Sequence, residues 1–335
     1  MIVLRRLSTA LPVIAGVIVV TFLLTRALPG DPAVYFAGPA ASEQAIAEIR
    51  HQLGFDRSLP VQFLDYAVRL AHGDLGTSLT TGQPVMTDLL TRLPASAELT
   101  LLALFLAVAV AIPLGITAAT RPGSAVDHIC RITTTAGVSL PTFFTGLLLI
   151  YVFYYLLGIA PAPLGRLDVY ASAPPQHTGF YLIDSLLDGD VETFRATLSQ
   201  LILPAATMAI FTLAPLARIT RASMLSALGS EFVRTAKASG LGRRQIVLVY
   251  AFRNAVLPVI TTLGVVFSFL LGANVLVEKV FAWPGIGSYA VDAVIASDYA
   301  PVQGFVLMMA LLYVVLNLIV DVAYGLVDPR VRLEA

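Results

Sequence analysis

The chain has 335 residues, of which 57% are hydrophobic and 13% charged, and its formal net charge is zero; mean hydropathy is +0.83. An apolar share above the ~45–50% of soluble domains leaves too little polar surface to cover a water-facing globule, which excludes a soluble domain and points to a membrane protein.

Six runs free of charged side chains follow one another, at residues 7–25, 99–120, 132–165, 196–217, 255–277 and 299–320. Each meets the ~20 residues that a helix needs to cross the hydrocarbon core with its backbone hydrogen bonds satisfied internally. The shorter alternating stretches of an outer-membrane barrel are absent. Arg5 and Arg6 precede the first run as they would precede the core of a signal peptide, but the run is long for one and five more follow, so it is read as a span. The fold class expected is therefore an all-α polytopic membrane protein with six transmembrane helices, in a single domain over 1–335.

Between the first two runs, segment 26–97 carries helix signals. Ser42 can cap a helix with Ile46, Ile49 and Leu53 on one side, stopped by Gly54. Ser58 before Pro60 opens a second helix in which Val61, Leu64, Val68 and Ala71 share a side, ending at Gly73. The pair reads as a small helical cap over the external mouth, against the plainer reading of a surface loop. Past the second run, the lone Cys130 sits beside Asp127, His128 and Arg131 and has no partner for an internal disulfide. Segment 158–195, with Pro174-Pro175 and "LLDGD", reads as a partly ordered loop.

Segment 218–256 gathers Arg218, Arg221, Arg234, Lys237, Arg243, Arg244 and Arg253. Within it "EFVRTAKASGLGRRQIV" (231–247) places Phe232, Val233 and Ala236 on one side of a short helix, with Arg234 and Lys237 turned elsewhere. Gly240 closes that helix and "GLGRRQI" redirects the chain into the next span. Anchoring to anionic lipid explains the arginines but not a capped helix with two glycines, so docking to a partner stands beside it. Pro113, Pro141, Pro204, Pro215 and Pro258 fall in the runs and favour kinks. Asn274 and Asn317 are the polar side chains that stand out in the later spans; they line a path or hydrogen-bond between helices, and packing is the favoured reading.

Orientation follows from basic residues. With the N-terminus inside, Arg5, Arg6, Arg121, Arg131, the cluster from Arg218 to Arg253, Arg330 and Arg332 all fall in short cytoplasmic segments, while most acids fall outside; both termini are then cytoplasmic, in the inner (plasma) membrane. Spread at the density that topology requires, these residues give no ground for nucleic-acid binding.

No G-x-x-x-x-G-K-[ST] phosphate loop, G-x-S-x-G elbow or H-E-x-x-H pair occurs, and His51, His72, His128 and His177 lack metal-ligand spacing. The chain is expected to be no enzyme and to hold no metal. A proton-coupled secondary transporter would need ionisable groups inside the spans, and only Asp321, at the inner end of the last run, qualifies. The runs hold no buried carboxylate or basic group, so recognition of a charged solute is expected mostly outside this chain, with the segment from Leu28 to Arg92 receiving it.

The stretch "EFVRTAKASGLGRRQIVLVYAFRNAVLPVIT" resembles the cytoplasmic loop of the permease subunits of bacterial ABC importers of the dipeptide and oligopeptide class. The likeness continues in "LPGDP" (28–32), "GDLGTSL" (73–79), "RLPASAELTL" (92–101), "LARITRASML" (216–225), "EKVFAWPGIG" (278–287) and "DPRVR" (328–332), in order along nearly the whole chain. The resemblance implies a coupling helix seated in a groove of an ATPase subunit, through Arg234, Thr235, Ala236 and Gly240 with Glu231 and Lys237 alongside. The general importer pattern has Glu-Ala-Ala where this chain has Arg234-Thr235-Ala236, a variant that peptide-class permeases share. It further implies a second, related permease, two ATPase subunits that use ATP and Mg, an external binding protein, and no cofactor in this chain. Relatives of the class carry dipeptides, longer peptides, nickel complexes, glutathione or opine-like compounds, and the residues leave the cargo open among them.

Overall fold

A computed structural model describes residues 2–27, 32–38, 41–52 and 54–327. Residues 28–31 of the "LPGDP" block, Leu53 and the "DPRVR" block lie outside the described residues. In chain order the helices are α1 Ile2–Ala27, α2 Pro32–Ala37, α3 Glu43–Gln52, α4 Leu59–Ala71, α5 Val85–Thr120, α6 Ala125–Ser139, α7 Thr142–Leu149, α8 Tyr181–Leu187, α9 Val191–Leu228, α10 Glu231–Ala238, α11 Arg243–Gln245, α12 Phe252–Val280, α13 Ile286–Ile295 and α14 Tyr299–Val327. A π-helical stretch, Ile150–Leu156, prolongs α7, and another, Ile246–Ala251, joins α11 to α12. Among the described residues there is no strand, only a bridge between Thr77 and Pro84.

Among the described residues, four helical segments are long and apolar enough to cross a membrane: Val85–Thr120, Val191–Leu228, Arg243–Gly272 and Tyr299–Val320; Leu11–Leu24 and Thr142–Leu156 are shorter apolar helices. The chain is thus a helical, polytopic membrane protein. The uncharged run 132–165 does not form one helix. α6 ends at Ser139, Leu140 is extended at φ −110 and ψ 138, and Pro141 precedes the first turn of α7. A proline pushes the residue before it out of the helical region, which fixes the break there. Pro204, Pro215 and Pro258, by contrast, lie inside helices that run on.

The chain divides into two compact units, Met1–Ser96 with Pro284–Val315 and Ala97–Trp283 with Leu316–Ala335. In the first, α1 meets α4 through Phe22, whose ring centroid lies 5.3 Å from Phe63 and 5.8 Å from Tyr66. The helices expected around Ser42 and Ser58 both form: Ser42 Oγ accepts from the Ala45 N–H, and Gly54 and Gly73 follow the two helices at positive φ. The apolar side of α4 is nonetheless the exposed one, with Leu64 at 62% and Val68 at 57%, while Gln62 and Tyr66 are buried. Gln62 goes inside because its carboxamide is fully used: Nε2 donates to the Phe55 and Arg57 carbonyls at 3.2 and 2.8 Å, and Oε1 accepts from Arg26 Nε at 2.9 Å.

The rest of that unit is built on Val85, Leu89, Ile286 and Tyr289. α14 comes close to α5 because Gly304 has no side chain; a Cβ there would stand 2.6 Å from Val85 Cγ1. α13 ends in a closure in which Asp298 N–H donates to the Ala293 carbonyl and Ser297 takes φ 53. Asp298 is then clasped by the loop of the "GDLGTSL" block: its Oδ2 accepts from Ser78 Oγ at 2.8 Å and from the Leu79 and Thr80 amides at 2.7 and 3.1 Å.

In the second unit α9 is the spine against which α6, α7, α8 and α12 pack. Small residues dominate the core, Ala107, Ala111, Ala118, Cys130, Ala209 and Ala217 among them, and let backbones approach. A Cβ on Gly115 would meet Thr220 Cβ at 2.7 Å and the Ala217 carbonyl at 3.0 Å. Ion pairs tie distant parts of this unit together. Arg166 Nη2 donates to Glu98 Oε2 at 2.7 Å while Glu98 Oε1 accepts from the Leu182 amide, and Arg221 grips Asp127 through two bonds.

Candidate partner-docking site

α10 begins after Ser230, which is extended at φ −75 and ψ 157. Of the three residues expected on its apolar side, Val233 is 0% and Ala236 5% exposed, packed with Ala119, Met224, Ala227, Ile246, Ala251 and Ala255, whereas Phe232 stays 41% exposed because the buried face is narrower than the sequence pattern. Burying a valine side chain fully is worth about 1.5–3 kcal/mol, enough to seat so short a helix on its own protein. The other side is open. Glu231, Arg234, Thr235 and Lys237 are exposed, and Arg234 Nη1 donates to Glu231 Oε1 at 3.0 Å, one turn apart.

The helix closes as its sequence foretells. Leu241 N–H donates to the Ala236 carbonyl and Gly240 N–H to the Lys237 carbonyl, with Gly240 at φ +77. This is a Schellman closure, and its usual apolar contact is present, since Leu241 packs on the cluster that holds Ala236. Arg243 Nη2 then donates to the Thr120 carbonyl at the end of α5.

Asp127, in the first turn of α6, is held by Arg221 of α9. Arg221 Nε donates to Oδ1 at 2.5 Å and Nη2 to Oδ2 at 3.1 Å, while the Gly123 amide reaches Oδ2 at 3.0 Å. The Arg221 guanidinium first, and the Gly123 amide second, hold the Asp127 carboxyl down to about 2.

The structure thus brings Glu231, Arg234, Thr235, Lys237 and Gly240 together at one exposed helix and its turn. Ala236, expected among the contact residues, faces inward. Asn274 is 3% exposed and donates from Nδ2 to Thr100 Oγ1 at 3.3 Å, a link between helices, whereas Asn317 is exposed. Ile46 and Ile49 are half-buried on α3, and the Asp321 side chain lies outside the described residues. Sequence reasoning missed the partnerships of Asp127, Glu98, Arg166 and Asp298. The available signal was position: Glu98 and Asp298 each stand immediately before an uncharged run.

Residues 111–333 match the family model described as binding-protein-dependent transport system inner membrane component, and residues 1–100 match the model of its N-terminal part. The chain is 46% identical over 319 residues to a probable D,D-dipeptide transport system permease protein of Escherichia coli, covering 95% of this chain and 94% of that one. It is 43% identical over 329 residues to a di/tripeptide transport system permease protein of Pseudomonas aeruginosa, with 98% and 97% covered. A dipeptide transport system permease protein of Escherichia coli is 38% identical over 333 residues, with 98% of each chain covered.

Proposed function

The chain belongs to the family of binding-protein-dependent transport system inner membrane components, and from that membership we propose that it is the permease subunit of an ATP-driven importer of di- and short oligopeptides. With a second permease it frames the path, the uncharged runs at 7–25 and 132–165 supplying the first and third of six crossings. Two ATPase subunits, using ATP and Mg, sit on the cytoplasmic side, and an external binding protein delivers the peptide. The chain performs no chemistry; it converts ATPase closure into a change of access.

The observation that carries this reading is the division of labour on α10: Val233 and Ala236 locked into the chain's own core, Glu231, Arg234, Thr235 and Lys237 presented outward together with Phe232. A helix held so firmly beneath passes a push to the helices it rests on, which is what a coupling helix must do. Glu231, Arg234, Thr235 and Lys237 are the contacts, Gly240 fixes the turn, and Ala236 supports from below. Segment 218–256 is then cytoplasmic and 26–97 the external cap.

Single cysteines at the exposed positions His51, Thr178 and Ser239, in a Cys130→Ser background, test the orientation. A membrane-impermeant thiol reagent applied to spheroplasts labels the first two and spares the third. Labelling of Ser239→Cys alone overturns the orientation and the ATPase seat with it.

A further inference from the structure

Within the unit of Met1–Ser96 and Pro284–Val315 lies a cavity of about 750 Å³ whose charged lining is Arg26, Arg57 and Arg69 against Asp65, Asp74 and Asp298. The six do not simply pair off. Arg57 and Asp65 hold one another at 3.0 Å. Arg26 uses Nε on Gln62, its guanidinium carbon lies 5.1 and 4.9 Å from the Phe22 and Phe55 ring centroids, and Arg69 acts on it as a like charge. Neither Arg26 nor Arg69 has an ion-pair partner among the described residues. On the acidic side, Asp74 is exposed and accepts from the Gly76 amide, and Asp298, 1% exposed, has Oδ1 without a hydrogen-bond partner among the described residues although Oδ2 is saturated.

The two guanidiniums line one volume and act on each other as like charges, and among the described residues neither holds a carboxylate. An anion removes that cost, and the planar fork of arginine suits a carboxylate. A multiply charged anion would meet Asp74 and Asp298 in the same space. Two cations without an ion-pair partner among the described residues, beside two acids, instead match a ligand with one charge of each sign, and the volume lies inside the ~300–1,000 Å³ of small-molecule sites. We propose that this cavity is a subsite for short zwitterionic peptides, the carboxylate held between Arg26 and Arg69 and the ammonium turned toward Asp74 and Asp298. The proposal rests on the reading of the chain as a peptide permease and places a recognition step in the permease itself.

The test uses the assembled transporter, purified with its partner subunits but without the binding protein. Titration with dialanine is expected to show saturable binding that weakens with salt, and dialanine amide, lacking the carboxylate, to bind about tenfold weaker or less. Arg69→Ala, a change at an exposed position, removes the preference for the free acid, and Arg69→Lys, keeping the charge without the fork, retains part of it. Equal binding of acid and amide by the unaltered transporter, or a preference that survives Arg69→Ala, overturns the proposal. So does an Arg69→Ala defect confined to stimulation by the ligand-free binding protein, which would make the arginine a docking contact. ATP-driven dipeptide uptake by the same unaltered preparation, with its binding protein added, separates the two levels: its presence alongside any of these results leaves the permease reading standing, and its absence removes the reading beneath the proposal.

Discussion

The backbone N–H of Leu241 donates to the carbonyl of Ala236 across 3.2 Å, and the residue before it, Gly240, makes this possible by taking φ +77. No atom lies within 4 Å of where a Gly240 Cβ would sit, so the glycine is there for its backbone and not for space. Gly240→Ala therefore costs about 1 kcal/mol of local stability through the left-handed conformation alone. Gly240→Pro costs more, because proline is fixed near φ −65° and lacks the N–H that Lys237 receives. Copurification of the ATPase subunits is expected to survive the first substitution and fail in the second, with membrane insertion unchanged in both.

The exposed and buried halves of α10 should separate in experiment. Charge reversal at Arg234 and Lys237, both exposed, lowers ATPase copurification several-fold while the melting temperature stays put. Ala236→Arg does the opposite first: it drives a cation into the cluster of Val233, Met224 and Ala251, so melting falls before docking can be assessed. Equal melting of Ala236→Arg and the unaltered protein would contradict the inward placement.

Asp127 offers a pH readout. Its carboxyl is held at about 2 by Arg221 and the Gly123 amide, below the ~3.9 of an unfolded chain. A depressed acid contributes stability that is present above the unfolded value and lost as pH falls through the folded one, so the contribution disappears between about pH 4 and pH 2. Asp127→Asn is expected to lower the melting temperature at pH 7 by several degrees and to flatten its fall across that window. An unchanged acid profile in the variant would remove the pair from the account.

Local signals were legible and long-range ones were not. Ser42, Ser58, Gly54, Gly73 and Gly240 end or begin helices where the sequence placed them, because caps and left-handed glycines act within a turn. The side that α4 buries was not legible. Apolar periodicity reports which face avoids water, and in a membrane protein that face can be left bare by the chain's own packing while a fully bonded Gln62 goes inside. The break at Pro141 was marked by its proline yet concealed by the unbroken apolarity of 132–165. Asp298 could not be tied to Ser78, 220 residues away in sequence, by any periodicity, since only the tertiary fold brings them to 2.8 Å.

The central claim is that ATP hydrolysed by partner subunits drives a delivered peptide through this permease. Reconstitution into proteoliposomes with the second permease, the ATPases and the binding protein measures it directly, in the unaltered chain and in Asp321→Asn. The account predicts dipeptide uptake that requires both ATP and the binding protein, ignores an imposed proton gradient and persists in Asp321→Asn. Uptake that proceeds without ATP or binding protein, follows the proton gradient and dies with Asp321→Asn would contradict it.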